Sequence, residues 1–585
     1  MSLQVEQIKE LVRVSQGDIP ADLILLNGHL LDVYTGEILK GFSVAIKGKR
    51  IACIGNDISY TIGPDTEVID IDGMLMIPGL IDAHTHLLMY SPLHEIIKYA
   101  LKGGTTTIIS EAIELAFPYG LDGIKDFLEW TKRQPIKIFC TIPVMHSLSS
   151  TGRSKAIGPE ALRRLLREEN VPGLGETIWT YIINGDQRTY ELIAETLASG
   201  KLVEGHGAGA KWKSLCAFSA SGISSCHESI GLNDVIERLR LGIYAMIREG
   251  DIRKELEAIA EIKNTGLDPR RLIIVSDGLA PQTLLNHGYM DHILQKAIDL
   301  GFDPIKAIQM MTINPAEHFR LDHIIGGIAP HRYADIVVIP GPREIRPEYV
   351  INNGKIAVKQ GNILVEPYIP LYNKSAFPSI ELIEIGPSEF AISSQRKGRV
   401  KVRVIELVSP LVTKEKIWEL TVHNNQILPD TKNDIIKVAA LTRLDNRVQK
   451  FVGLIKGFGL KKGAIATSAV WDACLVVVVG ADEKDMAEAV NRVIKMGGGI
   501  AVSEGGKITA ELSMPIGGII ADMPIRDIAR HMDNIQKRAE ELGCHLPDAH
   551  LAISILTTPY IPFLRVSEKG LFDLKRWKYV PLVED

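Results

Sequence analysis

The sequence is poor in cysteine: six residues among 585 (Cys53, Cys140, Cys216, Cys226, Cys474, Cys544), none in a C-x-x-C pair. That scarcity excludes a cysteine-rich zinc site, and thiols so scattered argue against a disulfide framework. They are expected to be small buried hydrophobes in a reducing compartment. No run of about 18 apolar residues occurs, and the longest stretches, such as Ala473 to Gly480, suit a buried strand. The opening Met-Ser-Leu-Gln-Val-Glu lacks the basic-then-apolar profile of a secretory signal. A cytoplasmic protein with no membrane partner is expected. An excess of one charge is also missing: Lys+Arg 66 against Asp+Glu 71 leaves −5, too balanced for a polyanion-binding surface over the whole molecule. Basic clusters interleaved with aromatics are absent, so nucleic acid is not an expected partner. Gly497-Gly-Gly and Gly459-Leu-Lys-Lys-Gly463 match neither the P-loop nor the dinucleotide fingerprint and read as turns.

What is present is ample apolar sequence, 46% against 23% charged, enough to bury large cores in about two to four domains. Residues 22–78 read as short strands ending at Gly, Asn or Lys-Gly. From Met76 apolar runs alternate with helical stretches: Met76–Ile81, Thr105–Ile109, Ile136–Cys140, Gly173–Ile178, Leu202–His206, Gly222–Cys226, Gly242–Met246 and Leu272–Val275. Eight strands with helices between them over about 250 residues is the pattern of a (β/α)8 TIM-like barrel. Strand texture returns at Ala334-Asp-Ile-Val-Val-Ile and continues through Gly361-Asn-Ile-Leu-Val. The expected fold class is therefore α/β: residues 1–75 and 326–375 form a discontinuous small β-sandwich around a barrel over 76–325. A linker around Tyr368–Ser388 then leads to a C-terminal α/β domain over 385–585. Its clearest helix is Glu483–Lys495, with Met486, Ala489, Val490, Val493 and Ile494 on one face and Gly497 as a stop.

The sharpest chemical signal is Pro78-Gly-Leu-Ile-Asp-Ala-His-Thr-His86. Residues two apart in a strand face one side, so His84 and His86 can grip one ion together. Imidazole is the commonest metal ligand. Glu176, His206, His227 and Asp277 each stand at the end of another expected strand. Strand ends of one barrel converge on one rim, so these six side chains meet in space although far apart in sequence. A metal-binding hydrolytic site is expected.

At this point the sequence resembles the amidohydrolase superfamily, and within it the adenine deaminase family. The resemblance runs nearly the whole length, through Pro78-Gly-Leu-Ile-Asp-Ala-His-Thr-His, Gly104-Thr-Thr-Thr, Gly173-Leu-Gly-Glu, Glu204-Gly-His-Gly-Ala-Gly, Cys226-His-Glu-Ser and Met246-Ile-Arg-Glu-Gly. It continues through Asn314-Pro-Ala-Glu, Ala334-Asp-Ile-Val-Val and, in the C-terminal domain, Ala489-Val-Asn-Arg-Val-Ile and Met514-Pro-Ile-Gly-Gly. It implies a binuclear divalent centre: His84, His86 and Asp277 on one ion, His206 and His227 on the other, Glu176 bridging. Iron(II) or manganese(II) are the implied occupants, and zinc(II) is compatible with the same donors. The implied reaction is deamination of adenine to hypoxanthine by a metal-activated hydroxide, with Asp277 moving the proton. The substrate is a small heterocycle and the protein a homo-oligomer, a dimer or higher. Zinc deaminases built on H-x-E…P-C-x-x-C do related chemistry, but the absence of C-x-x-C excludes that scaffold here.

The resemblance departs at the substrate side. Leu87-Leu88-Met-Tyr-Ser stands where the family has Ile-Glu-Ser-Ser, and Glu111-Ala-Ile113-Glu114 where it has Asp-Pro-His-Glu. Val470-Trp471-Asp-Ala-Cys474-Leu replaces Ala-His-Asp-Ser-His-Asn, and Asp277-Gly278 replaces a double Asp. Glu111 and Glu114 are candidate acid/base or base-reading groups, and Arg248 and Trp471 candidate substrate contacts. A pocket altered in this way leaves two alternatives open: the same mechanism on a different heterocycle or cyclic amide, and a metal-binding homologue without catalysis.

Overall fold

The computed structural model describes residues 4–372, 380–443 and 449–584. Strands Leu23–Asp32, Glu37–Lys47, Arg50–Gly55, Glu67–Asp70 and Leu75–Pro78 share a nine-stranded sheet with Ile336–Ile339, Tyr349–Asn352, Lys355–Lys359 and Asn362–Ile363. Leu75–Pro78 and Ile336–Ile339 make the join, antiparallel, with Ile77 opposite Val337. Both are apolar throughout and wholly buried, which suits adjacent strands in the interior of a sheet. A helix over Val5–Gln16, unannounced by the strand-rich pattern that follows it, ends on Gly17 in the left-handed region and buries Val14 among Ile24, Ala45 and Ala52.

Eight further strands follow one another in parallel: Leu80–Thr85, Thr105–Glu111, Lys137–Thr141, Gly173–Ile178, Leu202–His206, Ser225–Cys226, Tyr244–Arg248 and Leu272–Val275. Ladders join the first three, the next two and the last three. Between these groups Ile142 bridges Leu174 in parallel, and the Ser224 amide donates to the Val203 carbonyl at 2.9 Å. The Asp277 amide donates to the His84 carbonyl at 3.0 Å, tying the end of the eighth strand to the first. Parallel neighbours require crossovers, and helices such as Leu93–Lys102, Gln187–Ala198 and Leu232–Arg240 supply them.

Three expected strands are shifted. The run Met76–Ile81 is split: Leu75–Pro78 belongs to the nine-stranded sheet, and the first parallel strand begins at Leu80. Gly79 makes the break, since a Cβ there would lie 2.1 Å from Thr106 Oγ1. The runs expected from Gly222 and Gly242 begin at Ser225 and Tyr244 instead, because both glycines sit at positive φ (97° and 76°) in turns after helices.

The expected linker around Tyr368–Ser388 lies partly, at 373–379, outside the described residues. Beyond it a second nine-stranded sheet runs from Gly398–Leu407 to Lys507–Ser513. Its two faces follow the period of a strand. Val476 and Val478 pack with Met486, Ala489, Val490 and Val493 of helix Glu483–Lys495, whose bounds match the sequence reading. Leu475, Val477 and Val479 pack on the other face with Ile528, Met532 and Ile535 of helix Ile525–Glu541. That second cluster also takes in Met89, Tyr90, Ile178 and Ile252 from the parallel-strand region, so the C-terminal sheet is fastened over the ends of those strands. Among the described residues no helix is long and apolar enough to cross a membrane.

Candidate metal centre and substrate pocket

His84 is the penultimate residue of strand Leu80–Thr85, and His86 follows directly after the strand. Their side chains share a face, and their Nε2 atoms lie 3.1 and 3.3 Å from Glu176 Oε1 and 3.2 and 3.6 Å from Asp277 Oδ1. His227, just past strand Ser225–Cys226, puts Nε2 3.3 Å from the same Glu176 oxygen and stacks on His84 with ring centroids 4.0 Å apart. One ligand atom each from His84, Glu176, His227 and Asp277 falls within 4.8 Å of all the others, and His206, His227 and Glu228 form a second such group. His206 Nε2 is 3.1 Å from Glu228 Oε1. Five of the six expected side chains fall in these two overlapping clusters, which share His227, and His86 stands beside them through its contacts with Glu176 and Asp277.

The spacing suits an ion. Two atoms each about 2.1 Å from one metal stand about 3–3.4 Å apart at octahedral or tetrahedral angles. His84 Nε2 is buried and makes no hydrogen bond despite two carboxylate oxygens at 3.1–3.2 Å, so these atoms aim at a common point and not at one another. Electrostatics agree. Burial would depress the His84 pKa, yet Asp277 and Glu176 overcome it and raise the imidazole well above its ordinary value. Burial likewise opposes ionisation of Glu176, but His227, His84 and His86 hold it well below the carboxylate range. His227 is driven the other way, by burial and by the His84 charge beside it. The cluster therefore attracts positive charge without being able to protonate every ring, which is the condition a divalent cation satisfies.

Around the ligands lies a shell the sequence only half disclosed. Arg248, buried at the end of strand Tyr244–Arg248, contacts Asp277 Oδ2 at 3.2 Å, Glu255 at 2.8 Å and Glu228 at closer range. Its guanidinium is committed to three carboxylates, although it borders the pocket. Glu249 pairs with Lys296 at 2.6 Å. Glu111 accepts a hydrogen bond from the Glu176 amide, and a Cβ at Gly175 would strike its carboxyl at 2.1 Å; it braces the strand that delivers Glu176. Burial, reinforced by the Glu176 charge, pushes Glu111 up to about 8. Glu114 borders the cavity and burial raises its pKa too.

The cavity, about 230 Å³, opens above the ligands. One wall comes from the parallel-strand region: Met89, Ile113, Glu114, Phe117 and Ile252. The facing wall comes from the C-terminal segment: Leu411, Val470, Trp471, Asp472, Ile519, Thr558 and Tyr560. Trp471 lies over His86 with ring centroids 6.5 Å apart. Of the departures noted in sequence, Met89, Tyr90, Ile113, Val470 and Trp471 face the cavity. Leu88 and Cys474 do not: Leu88 is core, and the Cys474 thiol donates to the Phe117 carbonyl at 2.8 Å. His146 is buried, stacked on Tyr181 at 3.7 Å and bonded to Thr189 at 2.9 Å. Sequence reasoning passed over Glu228 and Tyr560. Glu228 had a signal in its place beside His227 in Cys226-His-Glu-Ser; Tyr560 had none.

Residues 75–363 match the amidohydrolase family, and residues 410–578 match the adenine deaminase C-terminal domain. Over 99% of its length the chain is 35% identical to the adenine deaminase of Moorella thermoacetica, covering 98% of that protein. It is 33% identical to the Clostridium botulinum adenine deaminase, with 99% and 98% covered, and 33% to that of Rubrobacter xylanophilus, with 97% and 96% covered. The chain belongs to the adenine deaminase family. Membership gives both halves of the pocket a common account, since the clustered His, Glu and Asp side chains fall in the first match and Trp471, Asp472 and Tyr560 in the second. The buried His/Glu/Asp cluster is then the divalent-metal site of an amidohydrolase.

Proposed function

We propose that this protein hydrolyses adenine to hypoxanthine and ammonia at a binuclear divalent centre. The supporting observation is end-to-end similarity to adenine deaminases, together with a buried His/Glu/Asp cluster beneath an enclosed pocket. We read the eight parallel strands as a (β/α)8 barrel, a fold that carries catalytic groups on the rim at its strand C-termini. In this reading His84, His86 and Asp277 hold one ion, His206 and His227 the other, and Glu176 serves both. Iron(II) or manganese(II) suits donors of this kind, and zinc(II) is compatible with them.

An ion bound there supplies Lewis acidity that brings the pKa of a water toward neutrality. The rest falls to the protein. Asp277 turns Oδ1 toward His84 and His86 while Arg248 holds Oδ2. Burial favours its acid form, but the His84 contact and Arg248 keep it ionised, ready to take a proton from the attacking water. Oxygen adds at C6, one proton ends on ring N1, and the proton held by Asp277 passes to the amino nitrogen, which departs as ammonia. Arg248 acts through Asp277, not on the substrate. Glu114, reluctant to ionise, is a second proton source on the cavity wall. Burial of the whole assembly strengthens each of these interactions.

The apolar cavity wall at Met89, Ile113, Phe117 and Ile252 favours a second reading, the same mechanism on a less polar heterocycle or a cyclic amide. Both are tested by loading the metal-free protein with Fe(II), Mn(II) or Zn(II) and following ammonia release. Release from adenine is expected. Turnover confined to other heterocycles replaces the first reading with the second, and silence across purines and pyrimidines with metal bound overturns both.

A further inference from the structure

Among the cavity-lining groups, the mechanism leaves Asp472 unused, although it is the most carefully held. It comes from the C-terminal segment, is 7% exposed, and lies near enough to Glu176, His86 and His206 to interact with their charges. Its φ is +58°, a region few side chains other than Asn and Asp tolerate. The Ser147 hydroxyl donates to its carbonyl oxygen and the Thr558 hydroxyl to Oδ2. On the flanking residue the Trp471 amide donates to the Ser554 carbonyl at 3.0 Å, and Thr557 donates to the Trp471 carbonyl at 2.7 Å. No Lys or Arg pairs with the Asp472 carboxyl among the described residues, and no hydrogen bond reaches Oδ1. A strained backbone, anchored twice, thus presents one uncommitted acceptor in a cavity whose nearby wall is Val470, Trp471 and Ile519. A buried carboxyl without a cation is costly unless something donates to it.

We infer that Asp472 is the specificity-determining residue, accepting through Oδ1 a ring N–H on the edge of the heterocycle remote from the metal cluster. This rests on the aminopurine reading above. With C6 at the ligands, the remote edge of adenine is its five-membered ring, whose N–H is lost when N9 carries a substituent. Free bases are taken and N9-substituted ones refused.

Asp472→Asn is the decisive variant. Asn tolerates the same φ, and its carbonyl oxygen can keep the Thr558 bond, so its NH₂ faces the cavity and an acceptor becomes a donor. The wild-type holoenzyme should favour adenine over N9-methyladenine by at least about a hundredfold in kcat/KM, and in Asp472→Asn the ratio should fall below about ten, at unchanged metal content. Asp472→Gly, which suits the backbone and supplies neither donor nor acceptor, should collapse the ratio as well and serves if the first variant does not fold. A ratio unchanged in both variants overturns the inference. Calorimetric binding of the two bases separates this result from the function itself. If adenine is preferred in binding but not deaminated, and the variants erase the preference, Asp472 keeps its role and the deaminase reading fails. If adenine is deaminated with a preference the variants leave intact, the reverse holds. If neither base binds, both fall.

Discussion

The two walls of the pocket are built on opposite plans. The parallel-strand side presents imidazoles and carboxylates from strand ends, each held by a neighbour: His84 by the Asp277 amide to its carbonyl, Glu176 by Glu111, Asp277 by Arg248. The C-terminal side presents Leu411, Val470, Trp471, Ile519 and Tyr560, with Asp472 as its one carboxylate among the described residues. The first wall carries the buried His/Glu/Asp cluster, and the departures noted in sequence at the cavity, Met89, Tyr90, Ile113, Val470 and Trp471, fall on both walls. Metal geometry tolerates changes of only tenths of an ångström, whereas an apolar wall accepts any side chain of suitable volume. Chemistry is therefore concentrated on one wall and substrate choice on both.

If that division holds, substitutions on the parallel-strand wall should abolish chemistry and those on the facing wall should redistribute substrates. His84→Ala should have the largest effect. It removes a ligand shared between two carboxylates, and turnover should drop by more than the 10–100-fold typical of residues that only support a ligand. Metal content measured by mass spectrometry should fall while the circular dichroism spectrum is retained. Full activity would place the chemistry elsewhere. Asp277→Asn preserves shape but not basicity, and kcat should fall by roughly 10²–10⁴-fold with KM little changed.

Glu228→Gln tests whether the second cluster is a metal site in its own right. Its oxygen lies 3.1 Å from His206 Nε2, and it also pairs with Arg248. A loss of about 10–100-fold in affinity for one of two ions, read by stepwise metal titration, is expected. An unaltered titration would make Glu228 merely the counter-ion of Arg248. On the facing wall, Trp471→Ala should raise KM by roughly tenfold through lost stacking, leaving metal content unchanged.

The same division governs what could be read in the sequence. The clustered His, Glu and Asp side chains were legible because each stands at the end of an apolar run, and neighbouring parallel strands bring such ends together. Helix Glu483–Lys495 was legible from its apolar stripe and its Gly497 stop. The first strand was misplaced because Leu75–Pro78 and Leu80–Thr85 form one continuous apolar string, and only the tertiary contact of Gly79 with Thr106 divides it. Leu88 stands where the resemblance has a glutamate, yet the backbone turns it into the core. Tyr560 and the Ser147 and Thr558 anchors of Asp472 were invisible for a different reason: they arise from contacts between segments far apart in sequence, 325 residues for Ser147 and 86 for Thr558, which no local pattern encodes.

The smallest effect expected concerns stability, and it probes whether the facing wall tolerates its one buried carboxylate. Burial pushes Asp472 up to about 7, partly opposed by the Thr558 bond, against an unfolded value of about 3.9. Between those values the folded metal-free protein holds a proton that the unfolded chain has released. Stability contributed by this group is therefore complete below about 4 and is lost as pH rises toward 7. Asp472→Asn cannot ionise, so it escapes that loss. Relative to wild type, its apparent Tm in metal-free buffer should rise steadily from pH 4 to pH 7 and level off above. A difference that stays flat with pH would mean that the Asp472 carboxylate finds a donor or cation when it ionises, and the contrast between the two walls would then be one of composition alone.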